Sequence, residues 1–216
     1  MPSTTYFDPS VSLEARLVAA FDELEVAGEV RGAAAALLAP LRNNGPITRE
    51  HYEHSIRVAL VARAIAPHAG LIERAMFYAG LLHDVGKART RLELLGRHGS
   101  WSEDDAKEME EHVVESWRML QGSFNFTSKV ALRHHRSQKR RYPENLPQDD
   151  EADLYARHLA LADSYDAMHR VDTSTGGRAL TGEQIKERML EANPDLRDLV
   201  ERLYQVGVFT TTIYDP

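Results

Sequence analysis

Residues 73–87, ERAMFYAGLLHDVGK, decide how this chain is read. Apolar side chains at Ala75, Met76, Tyr78, Ala79, Leu81 and Leu82 predict a core helix over 71–84, ended by Gly86. An imidazole and a carboxylate, His83 and Asp84, close that helix. Buried at the end of an apolar helix, such a pair is tolerated only when partnered or metal-bound. On its own the dipeptide would read as a helix-terminal histidine beside a turn aspartate, so the reading depends on what else the chain offers.

Working outward, the preceding helix is predicted over 48–66 and carries Glu50 and His54 four residues apart, on one face. Helical bundles offer metal ligands in this way, although an isolated Glu–His pair is more often at the surface. His112 falls inside a helix predicted over 102–121, which alone would be a solvated position. His134 and His135 come near the end of a helix starting at Thr127. Consecutive helical side chains diverge by about 100°, so this pair reads as two ligands or as one ligand with an orienting neighbour. Asp163 ends the run Leu159-Ala160-Leu161-Ala162-Asp163, where an unpaired carboxylate is costly and a cation is the simplest partner.

The remainder is helical too, and no convincing alternating strand is found, so the expected fold class is all-α, a helical bundle. Residues 12–26 and 27–42 predict two short helices, closed by the breaker Asn43-Asn44-Gly45-Pro46. Residues 1–45 are therefore expected to form accessory helices, and residues 46–216 the domain that carries the histidines. Residues 92–101 are expected to be loop, Ser102 with Asp105 a capping box, and 137–150 irregular. A long helix is expected over 151–169, a loop at 173–177, a helix capped by Thr181 and Gln184, and a last helix opened by Pro194. His51, His68, His98, His158 and His169 are expected at the surface or in loops, with His158 a candidate neighbour of the ligands. Trp101 and Trp117 are expected to be packing anchors.

Composition narrows the function. The 216 residues carry a formal charge of −7, so no basic field is available for a polynucleotide, whereas a small anion can still be held at a metal. With no cysteine, disulfides, zinc knuckles and thiol catalysis are excluded. The start shows no basic segment followed by an apolar run, and the longest apolar stretch, 33–41, is too short for a bilayer. The expected setting is the cytoplasm, with no membrane partner and no oligomeric state implied.

In order, His54, His83-Asp84 and Asp163 resemble the HD superfamily of metal-dependent phosphohydrolases. The added His112 and His134-His135 resemble its HD-GYP branch, which hydrolyses cyclic di-GMP. The matching segments are His54-Ser-Ile-Arg57, Leu82-His-Asp-Val-Gly-Lys87, Glu111-His-Val-Val-Glu-Ser, Arg133-His-His-Arg-Ser, Tyr142-Pro-Glu-Asn-Leu146 and Leu161-Ala-Asp-Ser-Tyr-Asp-Ala-Met168. The resemblance implies one metal on His54, His83, Asp84 and Asp163, with Asp84 bridging to a second on His112, His134 and His135. Glu50 matches a position that helps bind a third metal in some members. Two or three divalent ions are thus implied, iron or manganese first and zinc or magnesium next. Paired cations about 3.5–4 Å apart activate a bridging water for in-line attack on phosphorus. Lys87 matches a lysine near the scissile phosphate, and Arg57 and Arg178 are substrate-binding candidates.

The match breaks at two positions. Arg136 stands where the branch has the glutamate of His-His-Glu, and Arg141 replaces the glycine of Gly-Tyr-Pro. The expected activity is hydrolysis of a small phosphorylated nucleotide, cyclic di-GMP or a related cyclic compound, with Asp84 and Lys87 as catalytic groups. Two further readings are a non-catalytic metal-binding sensor of nucleotide or partner protein, and an HD-fold di-iron oxygenase.

Overall fold

In a computed structural model the described residues are 10–97, 100–138, 140–169 and 180–210. Among them are ten α-helices and no strand, in agreement with the all-α expectation. In chain order the helices are α1 (Leu13–Glu23), α2 (Gly28–Asn43), α3 (Pro46–Ala69), α4 (Glu73–Leu82), α5 (Leu92–Leu95), α6 (Glu103–Leu120), α7 (Asn125–Ala131), α8 (Asp150–His169), α9 (Gly182–Ala192) and α10 (Arg197–Gln205). Short 3-10 turns occupy Val85–Arg89 and Pro194–Leu196.

The central element is α3. Pro46 starts it two residues before the expected Thr48, because proline at the first helical position has φ already set and needs no N–H partner. The chain enters through Gly45 at φ +115° and leaves through Gly70 in the left-handed region, whose N–H closes on Ala66 O. The helix runs three residues past the expected end at Ala66 and takes Pro67 into its last turn. Ile56, Val58, Ala59, Ala62, Ile65 and Ala66 are fully buried, so α3 is enclosed on most sides rather than amphipathic.

Two apolar clusters meet on α3. One joins it to α4, α8, α9 and α10 through Met76, Leu159, Leu161, Ile185, Met189, Val200, Leu203 and Phe209. The other joins it to α1, α2, α4 and the ends of α6 and α7 through Phe21, Leu38, Leu41, Phe77, Leu81 and Leu120. Side chains such as Leu41 and Phe77 contribute roughly 1.5–3 kcal/mol each on full burial. At the α3–α4 crossing, a Cβ on Gly80 would lie 2.6 Å from Ala59 Cα, so only glycine allows this approach.

Several boundaries differ from expectation, each for a local reason. Helix α4 ends at Leu82, leaving His83 and Asp84 at the turn itself. The expected loop at 92–101 contains the single-turn α5, pinned by the fully buried Leu94. Helix α7 begins at Asn125, whose side chain accepts from Gly122 N, and stops at Ala131. His134 and His135 therefore lie in turns beyond its end. The α6 and α9 capping boxes form as expected at Ser102/Asp105 and Thr181/Gln184. Trp101, expected to be a packing anchor, is 42% exposed.

Candidate metal centre

Four structural segments bring histidines to one buried point. His54 comes from mid-α3, His83 from the end of α4, His112 from α6, and His134 from the turn after α7. All four are at most 2% exposed. For His112 burial removes the solvated reading that the residue would have in isolation. It sits in the stripe Ala106, Met109, Val113, Ser116 and Leu120, which faces inward along α6.

Three of these rings are held alike. Nδ1 of His83, His112 and His134 lies at hydrogen-bond distance from the carbonyl three residues earlier, Gly80 (2.8 Å), Met109 (2.5 Å) and Ala131 (2.7 Å). Since a carbonyl only accepts, Nδ1 carries a proton, and in the neutral form of each ring the lone pair is on Nε2. Those three Nε2 atoms are buried and make no hydrogen bond, and neither does Asp84 Oδ1. Unsatisfied buried acceptors are costly, and a cation satisfies all of them at once. The donor set therefore fits a metal.

Asp84 is at the middle, and its two oxygens face different neighbours. Oδ1 lies 3.2 Å from His112 Nε2 and 3.9 Å from His134 Nε2. Oδ2 lies 3.3 Å from His83 Nε2, 3.8 Å from His54 Nε2 and 2.5 Å from Lys87 Nζ. Burial pushes the Asp84 carboxyl upward, but His83 and Lys87 outweigh it and hold it well below the usual carboxylate range. The group is thus a carboxylate at neutral pH. Burial drives His134 and His135 the other way, and their neighbouring imidazoles add to it: His134 falls well below its ordinary value and His135 to about 4. Neutral rings with free lone pairs are the ligand form.

Three sets of ligand atoms lie within 4.8 Å of one another: His54, His83 and Asp84; His83, His134 and Asp163; and His112, His134 and His135. Together they gather seven of the sequence-derived ligands. Asp163, with its side chain 14% exposed, approaches His54 Nε2 at 3.1 Å. Glu50 is exposed on α3 and belongs to none of the three sets. Arg57 faces Asp166, with Nε donating at 2.7 Å and Nη2 at 3.2 Å. Arg178 and His98 lie outside the described residues. His158, expected at the surface or in a loop, is only 5% exposed, with its Nδ1 bonded to Leu154 O.

Sequence reasoning assigned no role to Asp166. This carboxylate is 6% exposed, accepts from His54 Nδ1 at 2.7 Å, and so fixes the His54 ring with Nε2 toward Asp84 and Asp163. Burial raises the Asp166 carboxyl, but hydrogen bonding to His54 and the charge of Arg57 bring it down to about 2. Asp163 and Asp166 stand one helical turn apart on α8, a spacing that does not by itself single out Asp166. Tyr142 was also missed as a neighbour. Its ring stacks on His135 with centroids 4.5 Å apart, and burial raises its hydroxyl. Arg141 is exposed, while Arg140 pairs with Glu110 of α6.

Residues 51–168 match the family model described as HD domain. The 3'3'-cGAMP-specific phosphodiesterase 1 of Vibrio cholerae is 30% identical over 135 residues, covering 60% of this chain and 31% of that one. The cyclic di-GMP phosphodiesterase response regulator RpfG of Xanthomonas campestris is 32% identical over 167 residues, covering 74% of this chain and 43% of that one. A cyclic di-GMP phosphodiesterase of Thermotoga maritima is 29% identical, covering 55% of this chain and 34% of that one. The chain thus spans less than half the length of these relatives. In fold it is similar to the HD domain of the L. monocytogenes phosphodiesterase PgpH, with a TM-score of 0.55 and 19% identity over 79% of this chain and 98% of that one. A histidine–aspartate pair at the turn after a buried helix, encircled by histidines from three other segments and matched over more than half the chain, places this protein in the HD domain family.

Proposed function

We propose that this chain is a metal-dependent phosphohydrolase that cleaves a phosphodiester of a small cyclic nucleotide, cyclic di-GMP or a close relative. The observation that carries the reading is the convergence of three buried, unbonded imidazole Nε2 atoms on a carboxylate whose two oxygens face different histidines. His54, His83, Asp84 and Asp163 would hold one divalent ion, and His112, His134 and His135 a second, with Asp84 shared. Paired divalent ions supply charge neutralisation at phosphate oxygens and a water acidic enough to lose a proton near neutral pH.

Within that frame, Asp84 stays deprotonated to bridge, and the carbonyl-bound Nδ1 protons keep three imidazoles facing inward. Lys87 Nζ, beside Asp84 Oδ2 and with 15% of its side chain exposed, can turn toward a phosphate oxygen as charge develops there. Named activities of the relatives support a cyclic dinucleotide as substrate. Iron or manganese suits the mixed nitrogen and oxygen donors, and a third ion would draw on Glu50. A cytoplasmic setting goes with this reading. Among the described residues no helix is long and apolar enough to cross a membrane.

The test is turnover. Protein loaded anaerobically with iron, or loaded with manganese, is expected to linearise cyclic di-GMP or a related cyclic dinucleotide, while nucleoside monophosphates report monoesterase activity. Absence of product on every substrate with a full metal complement removes the hydrolytic reading. A second reading, a sensor that binds nucleotide without cleaving it, is favoured by the loop change at Arg136 and Arg141. Calorimetric binding of cyclic dinucleotide without product would support it.

A further inference from the structure

A cavity of about 220 Å³ is lined by Arg133, Arg136, Ser137, Asp153 and Arg157, none of them among the candidate metal ligands. Two of its arginines flank the His134–His135 pair in sequence, and the other two charged residues come from the first half of α8. We infer that this cavity is a phosphoryl-anion site, separate from the metal centre and independent of the hydrolytic reading.

Charge and geometry carry the inference. Arg133 is 5% exposed and locked in place, its Nη1 donating to Lys129 O at 3.1 Å and its Nη2 to Pro147 O at 3.0 Å. Its buried Nε makes no hydrogen bond, lying 3.5 Å from Asp153 Oδ1. Arg136 reaches the same oxygen with Nη1 at 2.7 Å. Asp153 therefore serves two guanidinium groups with one carboxylate. Arg157 is fixed by Asp195 at 2.7 and 2.9 Å and by Asn193 at 2.9 Å.

Three guanidinium groups thus face two carboxylates, a net charge of 3 − 2 = +1. The Asp195 side chain is 60% exposed, so solvent screens its share. Were position 136 a glutamate, as in the branch this chain resembles, the balance would be 2 − 3 = −1. Arg136 therefore decides the sign of the cluster's charge. Planar guanidinium forks held by other bonds favour phosphate oxygens, with little ordering left to do on binding, and the Ser137 hydroxyl adds a donor. The ligand is a phosphoryl dianion, either free or as the terminal phosphate of a nucleotide.

Calorimetry at low salt tests this with orthophosphate and with GMP, on the full chain both manganese-loaded and stripped of metal by chelation and dialysis. Phosphate bound only at the metals disappears on stripping, whereas phosphate in the arginine cavity remains. Binding to the stripped chain is expected to weaken at least about tenfold in Arg136→Glu. This change lies at a side chain 40% exposed. Arg157→Gln is expected to act in the same direction, and His134→Ala to leave this binding unchanged. Binding of orthophosphate identifies free phosphate as sufficient, and binding of GMP alone identifies a nucleotide phosphate. No binding to the stripped chain, binding indifferent to Arg136→Glu in a folded variant, or acetate binding as tightly as phosphate overturns the proposal. None of these outcomes touches the turnover test of the metal centre.

Discussion

Asp166 shows how much of a site can depend on a residue that touches no substrate. His54 is buried on α3, and a buried imidazole prefers to lose its charge, yet hydrogen bonds to Asp163 and Asp166 raise it above its ordinary value. Holding Nδ1 as the protonated nitrogen is the contribution of Asp166, and Arg57 holds Asp166 in turn. Carboxylates behind ligand histidines commonly govern metal affinity by 10- to 100-fold. Asp166→Asn is accordingly expected to weaken manganese binding about 10- to 100-fold, read by competition with a chelating dye, with helical content unchanged. Unchanged affinity would show that His54 is not oriented from this side. Asp163 was legible because it ends a purely apolar run. Asp166, between Tyr165 and Ala167, was not, because nothing about an aspartate on a helix says that it faces an imidazole more than a hundred residues away.

At the level of elements, the site depends on how closely the turn after α4 approaches α6. Gly86 N donates to Ser116 Oγ at 2.9 Å, and a Cβ on Gly86 would lie 2.1 Å from His112 O and 2.5 Å from Ser116 N. Both opposing atoms are backbone, so neither can rotate away. Gly86→Ala is expected to cost about 1–3 kcal/mol from overpacking, and Tm falls by roughly 2–4 °C per kcal/mol for a chain of this size. Because His112 lies on the displaced turn, metal content is expected to fall with stability. A variant with wild-type Tm and full metal would show that α6 yields freely. The sequence reading anticipated Gly86 as a helix stop, which is only half of its role. Helix type and order were legible from periodicity and capping residues, and the ligands from their order along the chain. What periodicity could not show was that α7 ends before His134 or that the 92–101 segment contains a turn of helix, since both depend on tertiary packing at short segments.

On the scale of the whole molecule, burying neutral imidazoles together makes folding sensitive to acid. His135 titrates at about 4 in the fold against an ordinary 6.5, and His134 is displaced in the same direction. Between those values the unfolded chain takes up protons that the folded chain refuses. Stability therefore rises with pH across this window and falls as pH is lowered from about 6.5 toward 4. The lowered Asp166 carboxyl adds a second loss at lower pH, between its ordinary value of 3.8 and about 2. In the metal-free chain, urea denaturation at steps from pH 6.5 to 4.5 is expected to show falling stability, and His135→Gln to flatten the slope because glutamine takes up no proton. Adding manganese is expected to steepen it, since the ion binds only the deprotonated rings and stabilises the fold by an amount that grows with the logarithm of free ion over its dissociation constant. If stability proves level across this range with and without metal, the imidazoles are not held neutral in the interior, and the convergence of lone pairs on Asp84 is not the form the protein takes in solution.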